Sequence, residues 1–235
     1  MLNDTSRPVI FVGTSAIIHW QVSVCQSVGL TVAGVIDDDY HGQGHFQDLP
    51  ILAKESDLHA GSGLDQYQFM CAVNWQPDNS KDPSTTRNRQ KRLRMIDQLD
   101  QSGLIIGSVA ASSALVNDYN VQIGHGVFID HHAHIYPNTR IGNWTNIWSY
   151  AGIPPGVKVG RNCVIQRHAY LWDDIVVEDD CYIGMGSQVC RDGVVIATGT
   201  HIHPCMTLLR GTKPNEEISL AGKDLRRVYY QPTEA

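Results

Sequence analysis

Ile123-Gly124-His125-Gly126-Val127-Phe128-Ile129-Asp130-His131-His132-Ala133-His134-Ile135 sets a rhythm that the next sixty residues keep. An aliphatic residue falls on every sixth position: Ile123, Ile129, Ile135, Ile141, Ile147, Ile153, Val159, Ile165, Leu171, Val177, Ile183, Val189 and Val195. Four places after most of them stands a small or slim residue, as at Val127, Ala133, Thr139, Ala151, Cys163, Ala169, Cys181 and Ser187. A fixed six-residue period of this kind builds a parallel β-helix, in which each hexad gives one short strand and a corner. Three hexads close one coil, and coils stack at roughly 4.8 Å. Residues 18 apart therefore lie in columns, and the sequence alone says which side chains are neighbours.

The 235 residues leave room for more than this stack, and 42% of them are hydrophobic, enough for a closed core. A net charge of -6, without any basic run, argues against a nucleic-acid partner. The six cysteines show no metal-binding spacing, and Cys163 and Cys181 share a slim column one coil apart, where reduced thiols pack well. That usage points to a cytoplasmic setting without disulfides. No apolar run reaches the roughly 20 residues of a membrane span, and Met1 to Pro8 lacks the shape of a signal peptide, so no membrane insertion is expected.

Ahead of the coils, Val9 to Val12 reads as an apolar strand followed by Gly13. A helix over about Ile17 to Ser27 and a strand over Thr31 to Ile36 follow, ending in Asp37-Asp38-Asp39. This is a βαβ unit with an acidic strand end, the layout of a Rossmann-like α/β domain. Tyr67 to Val73 reads as a third strand, Pro77 to Thr86 as a polar loop, and Asn88 to Leu99 as a charged helix stopped by Gly103. The expected organisation is a Rossmann-like domain over 1–104, an all-β parallel β-helix over 105–210 and a C-terminal strap over 211–235. Hexad spacing begins near Val109 or Leu115 and runs to about Leu208.

Taken together, these parts resemble the PglD/NeuD-type sugar acyltransferases. The likeness includes the βαβ domain, the charged helix, the hexads around Ile141-Gly142-Asn143 and Ile183-Gly184-Met185-Gly186-Ser187, and the closing segment Ile218-Ser219-Leu220-Ala221-Gly222-Lys223. It implies a left-handed β-helix, whereas the usual crossover rule for parallel strands would favour a right-handed one. It also implies a homotrimer with sites in the grooves between copies, and acetyl-CoA as co-substrate. The acceptor would be an amino or hydroxyl group of a sugar, often nucleotide-linked, in surface polysaccharide assembly.

The resemblance departs from its pattern at functional places. The family's general-base histidine falls on Pro155 and its asparagine on Trp148. The nucleotide loop after Gly13 runs Thr14-Ser15-Ala16-Ile17, with the later glycines gone. The alternative to an acyltransferase is therefore a binding or scaffold homologue that keeps the fold without the transfer.

Stacking by 18 supplies other candidates for the chemistry. His132, Tyr150, His168 and Gly186 form one outward column, and an outward histidine is the residue type that most often serves as general base. Asp173 stacks between Pro155 and Arg191, with Asp174 beside it, either as a surface ion pair or as a group orienting the acceptor. His131, His132 and His134 alternate along a strand edge, which argues against a metal site. A neutral amine acceptor would need positioning and an oxyanion donor but no base. For acetyl-CoA, the resemblance implies pantetheine contacts near Asp173, Met185 and Pro204, with Gly186 also counted on the cofactor side and Lys223, Arg226 and Arg227 for the phosphates. For the sugar nucleotide it implies Gly13, Thr14, Ser15, Asp37 and Asp38.

Overall fold

A computed structural model describes residues 2–74 and 83–219. The chain divides between Ser112 and Ser113 into two compact units.

The N-terminal unit contains β1 (Val9–Val12), α1 (Ile18–Ser27), β2 (Val32–Ile36), β3 (His45–Phe46), β4 (Leu49–Ala53), β5 (Gln68–Cys71), α2 (Pro83–Gln101) and β6 (Ile105–Ile106). They make one sheet in the order β3-β4-β2-β1-β5-β6. All pairings are parallel except the β3–β4 edge. Every residue of β1 and β5 is buried, as expected of central strands covered on both faces. β2 lies on one side of β1 and β5 on the other, so the chain changes direction between β1 and β5. In open sheets of this kind the crevice beyond the carboxyl ends of such a strand pair is where ligands bind.

Two local readings change. Helix α2 starts at Pro83 rather than Asn88, and proline suits a first helical turn, where its missing N–H has no partner to lose. The β3–β4 edge was not anticipated, because Pro50 interrupts the run Leu49-Pro50-Ile51-Leu52-Ala53 and argues against a paired strand.

The second unit is built from two-residue strands, and the columns follow the 18-residue rule through its middle. On the first face Phe128 pairs with Asn146, Asn146 with Val164, and Val164 with Tyr182. On the second, His134 pairs with Gly152, Gly152 with Tyr170, and Tyr170 with Gln188. On the third, Gln122 pairs with Arg140, Arg140 with Lys158, and Lys158 with Val176. The aliphatic at the end of each strand points inward, and Ile129, Ile135, Ile147, Ile153, Ile165, Leu171, Ile183 and Val189 have no exposed surface. These are the parallel faces of a hexapeptide β-helix.

Each corner turns on a residue in the left-handed region. His132, Asn138, Trp144, Tyr150, Gly156, Asn162, His168, Asp174, Asp180 and Gly186 all have φ between 54° and 75°, one per hexad. Asn, Asp and His tolerate that conformation better than other side chains, and Gly best of all. The histidines of the sequence column thus have a backbone reason to be there, while Trp144 and Tyr150 are bulky exceptions.

The aliphatic ladder slips once at each end. Val195 pairs with Val176 and is 41% exposed, whereas Ile196 pairs with Val177 and is fully buried. One extra residue in the turn after Val189 shifts the inward position from Val195 to Ile196. The same offset of 19 appears at the start, where Val116, not Leu115, lies in register with Ile135. Beyond Leu208, Glu217–Ile218 adds one more strand to the first face, against His201–Ile202.

Candidate active site

The corner between the first and second faces carries the aromatic column. The ring of Tyr150 stacks on His132 at 4.9 Å and on His168 at 4.9 Å, the latter pair within 2° of parallel. All three side chains are exposed at the corner, as the sequence column required. Gly186 occupies the next rung, with Cys205 beyond it, and Met185 lies below Pro204 on the adjoining column. The structure thus brings His132, His168, Met185, Gly186 and Pro204 to one corner.

Asp173 and Asp174 are elsewhere. They follow the strand Tyr170–Leu171, whereas His168 precedes it, so the carboxylates and the histidine sit on different corners. The extra residue also changes what covers Asp173. Gly193 N donates to Asp173 O, which puts Asp192 where strict 18-residue stacking would put Arg191. No Asp173–Arg191 ion pair occurs among the described residues. The reason is the same one-residue insertion that moves Val195 outward.

A polar group that the column reading missed lies one step inward of His132. Asp130 is fully buried. Its Oδ1 accepts from His131 N at 2.7 Å, and its Oδ2 accepts from Ser149 N at 3.2 Å and from the Ser149 hydroxyl. Ser113 Oγ and His131 Nδ1 are 2.8 Å apart. Next in the Asp130 column stands Trp148, 1% exposed, with the Arg167 guanidinium 5.2 Å over its ring. Its indole N–H is buried without a hydrogen-bond partner among the described residues. Gln166 follows, hydrogen-bonded to Tyr182, whose hydroxyl burial pushes up to about 12. The signal was present in the sequence as polar residues directly after Ile129 and Ile165, where a stack usually repeats glycine or small groups.

In the N-terminal unit, Gly13 has φ 76°, and a Cβ there would collide with Val73. Thr14 Oγ1 donates to Asp37 Oδ2 at 2.7 Å, and Asp39 N donates to Asp37 Oδ1 at 3.1 Å. Lys91 of α2 then closes on the same carboxylate, 2.8 Å from Oδ1 and 2.9 Å from Oδ2, and reaches Asp39 at 2.6 Å. Asp37 is completely buried by this ring of donors. Asp38 accepts from Glu55 N at 2.9 Å. Gly13, Thr14 and Asp37 are therefore assembled together, but Asp37 is saturated from within the chain. Two polar atoms at the ends of β1 and β5 are buried without partners among the described residues, Ser15 Oγ and Asn74 Oδ1.

A groove of about 740 Å³ lies along the third face of the coil stack, over Gln122, Arg140, Lys158 and Val176. Its floor is backbone at Gly124, Gly142 and Gly160. Lys223, Arg226 and Arg227 lie outside the described residues. Among the described residues no three His, Cys, Asp or Glu side chains are placed to hold a metal ion, and no helix is long and apolar enough to cross a membrane.

With this geometry established, comparison with known proteins places the repeat and the fold. Residues 120–155 match the family described as bacterial transferase hexapeptide (six repeats). No curated protein matches the chain. Among solved structures, the acetyltransferase domain of PglB from Neisseria gonorrhoeae FA1090 is 14% identical, with a TM-score of 0.74 over 90% of this chain and 95% of that one. PerB from Caulobacter crescentus, solved with CoA and GDP-perosamine, is 18% identical, with a TM-score of 0.72 over 89% of this chain and 92% of that one. WeeI from Acinetobacter baumannii AYE is 15% identical, with a TM-score of 0.64 over 90% of this chain and 95% of that one. At such identities the likeness establishes the fold. The parallel faces are thus consistent with a left-handed β-helix of the hexapeptide type.

Proposed function

We propose that this protein is an acetyl-CoA-dependent acyltransferase acting on an amino or hydroxyl group of a sugar, carried on a nucleotide, in glycan assembly in the cytoplasm. The observation that supports this most is the extent of the fold likeness. Both units match proteins solved as acetyltransferases, one of them holding CoA and a nucleotide-linked amino sugar. The N-terminal sheet, with its direction change between β1 and β5, reads as a Rossmann-like domain whose crevice takes the nucleotide. Ser15 Oγ and Asn74 Oδ1, buried at that crevice without partners among the described residues, are groups a ligand would satisfy.

In the transfer the acceptor nitrogen or oxygen attacks the thioester carbonyl, the carbon–sulfur bond breaks, CoA leaves as thiolate, and one proton leaves the acceptor. Of the expected bases, His168 and His132 share the corner with Met185, Gly186 and Pro204, so they are the better candidates. Asp173 and Asp174 act, on this reading, at a separate corner on the acceptor side. A homotrimer would close the grooves between copies.

One observation favours a second reading, a binding protein without transfer. Asp37, the carboxylate placed to hold a ribose, is already engaged by Lys91 and Thr14, and Pro155 stands where the resemblance puts a base. The deciding measurement is calorimetric titration of the folded protein with CoA, followed by an acetyl-release assay with nucleotide-linked amino sugars. Turnover supports the transferase and ends the scaffold reading. A folded trimer that does not bind CoA removes the transferase.

A further inference from the structure

The third face of the coil stack holds an arrangement that folding by itself does not favour. Arg140 and Lys158 are directly in register on adjacent strands, and both are exposed. Strand spacing puts such a pair about 5 Å apart at the backbone. Like charges opposite one another in a sheet destabilise it. The positions on either side are Gln122 and Val176, so neither rung supplies a carboxylate. No ion pair to Arg140 or Lys158 occurs among the described residues.

Two acids, Glu178 and Asp179, line the same groove, and each is held by hydrogen bonds from neutral donors rather than by Arg140 or Lys158. Glu178 Oε2 accepts from Thr198 N at 2.8 Å and from Thr198 Oγ1 at 2.9 Å, and these bonds hold its carboxyl below the usual range. Asp179 Oδ1 accepts from Arg161 N at 2.7 Å. Arg140 and Lys158, without an ion-pair partner among the described residues, therefore stand over the groove of about 740 Å³ that Glu178 and Asp179 also line. The glycine column keeps its floor at backbone level. A Cβ at Gly142 would come within 2.5 Å of the Gly160 carbonyl, so no side chain fills the space beside the cations.

We propose that Arg140 and Lys158 bind the diphosphate of a nucleotide-containing ligand. Two adjacent negative groups match two cations one rung apart, with the guanidinium forking onto one phosphate and the ammonium meeting the other. The groove's lining continues past the two cations to Gln122 on one side and Val176 on the other, where an attached nucleoside would lie. The chemistry fits the diphosphate of CoA and that of a sugar nucleotide equally well. The choice of these two ligands rests on the acyltransferase reading; the anion site itself does not.

The test uses the full chain, Arg140→Gln, Lys158→Gln and the double variant, titrated by calorimetry with CoA, GDP and inorganic pyrophosphate at low and high salt. Melting temperature without ligand checks folding. It should hold or rise in the variants, because a repulsion has been removed. Each cation lost should weaken the bound diphosphate about tenfold, and added salt should weaken it further in the wild type. Weakened CoA with unchanged GDP assigns the site to the acyl donor, and the converse assigns it to the sugar nucleotide. A wild type that binds pyrophosphate through these residues but neither CoA nor GDP keeps the anion site and removes the acyltransferase reading. Unchanged affinity of the double variant for all three probes overturns the proposal, whatever the transferase assay shows.

Discussion

The Lys91 ammonium lies 2.8 Å from Asp37 Oδ1 and 2.9 Å from Oδ2, so a side chain of α2 neutralises a carboxylate at the end of β2 that has no exposed surface. Removing one partner of a buried pair leaves an uncompensated charge, so Lys91→Met should cost about 3–5 kcal/mol in urea unfolding. Asp37→Asn in the same chain should restore part of it. Burial pulls the lysine pKa down, but the Asp37 and Asp39 carboxylates outweigh it and hold the pKa above the ordinary value. A group raised on folding stabilises fully below its unfolded pKa, about 10.4, and that contribution is lost as pH climbs through the folded value. Wild-type stability should therefore stay level in this respect to about pH 10 and fall beyond it more steeply than that of Lys91→Met. Parallel slopes for the two proteins would mean the pair carries no such stabilisation.

The shifted register after Val189 has a direct mutational signature. Ile196 is fully buried, and cutting it to alanine should cost about 2–5 kcal/mol. Val195, which the unbroken six-residue count would place inside, is 41% exposed, and Val195→Ala should stay within about 0.5 kcal/mol. Thermal unfolding of the two single variants is sufficient. Equal losses, or a larger one at Val195, would restore the unbroken ladder and the Asp173–Arg191 column with it.

These two cases show what a period can and cannot carry. Ile129 to Val189 was legible because inward packing allows one kind of residue every sixth place, and each coil tests the one before. The slip at Val195–Ile196 was not, because Val195 and Ile196 are both aliphatic and either satisfies the count. His132, Tyr150 and His168 were legible as a column, since stacking by 18 needs no side-chain detail. The saturation of Asp37 was not, because Lys91 lies 54 residues away on another element. Asp130 was passed over for a similar reason. Its partner Ser149 is 19 residues on, a diagonal that strict columns do not show.

Glycines at the corners serve two purposes that one pair of substitutions separates. Gly142 has an ordinary φ, but an added Cβ would meet the Gly160 carbonyl carbon and oxygen at 2.5 Å. Backbone of the next coil cannot swing aside, so Gly142→Ala should cost at least about 1–3 kcal/mol. Gly193 has φ 67° with nothing within 4 Å of an added Cβ. Its alanine variant pays only for the left-handed conformation, about 1 kcal/mol. Chemical unfolding of both should rank Gly142→Ala as the more damaging, and the opposite ranking would contradict the close approach of these coils.

The cysteines report whether the coil interior is closed. Cys163 is fully buried, with its Sγ 3.0 Å from Glu178 O, and burial raises its thiol well above the ordinary range. Cys181 sits in the next coil with its Sγ 3.2 Å from Ala197 O. In the first unit burial pushes Cys25 up to about 12 and raises Cys71 as well. Only the thiolate reacts with an alkylating agent, so Cys25, Cys71 and Cys163 should be silent at pH 8 in the native protein, and Cys181, fully buried, should be out of the reagent's reach. Cys205 is exposed on the corner past Gly186 and should be modified first, with the partly covered Cys190, also raised by burial, following more slowly. Iodoacetamide labelling read by peptide mass spectrometry, with and without urea, gives the order. Native labelling of Cys163 or Cys181 as fast as Cys205 would show that the stack opens at its middle coils, where the fold requires it to be shut.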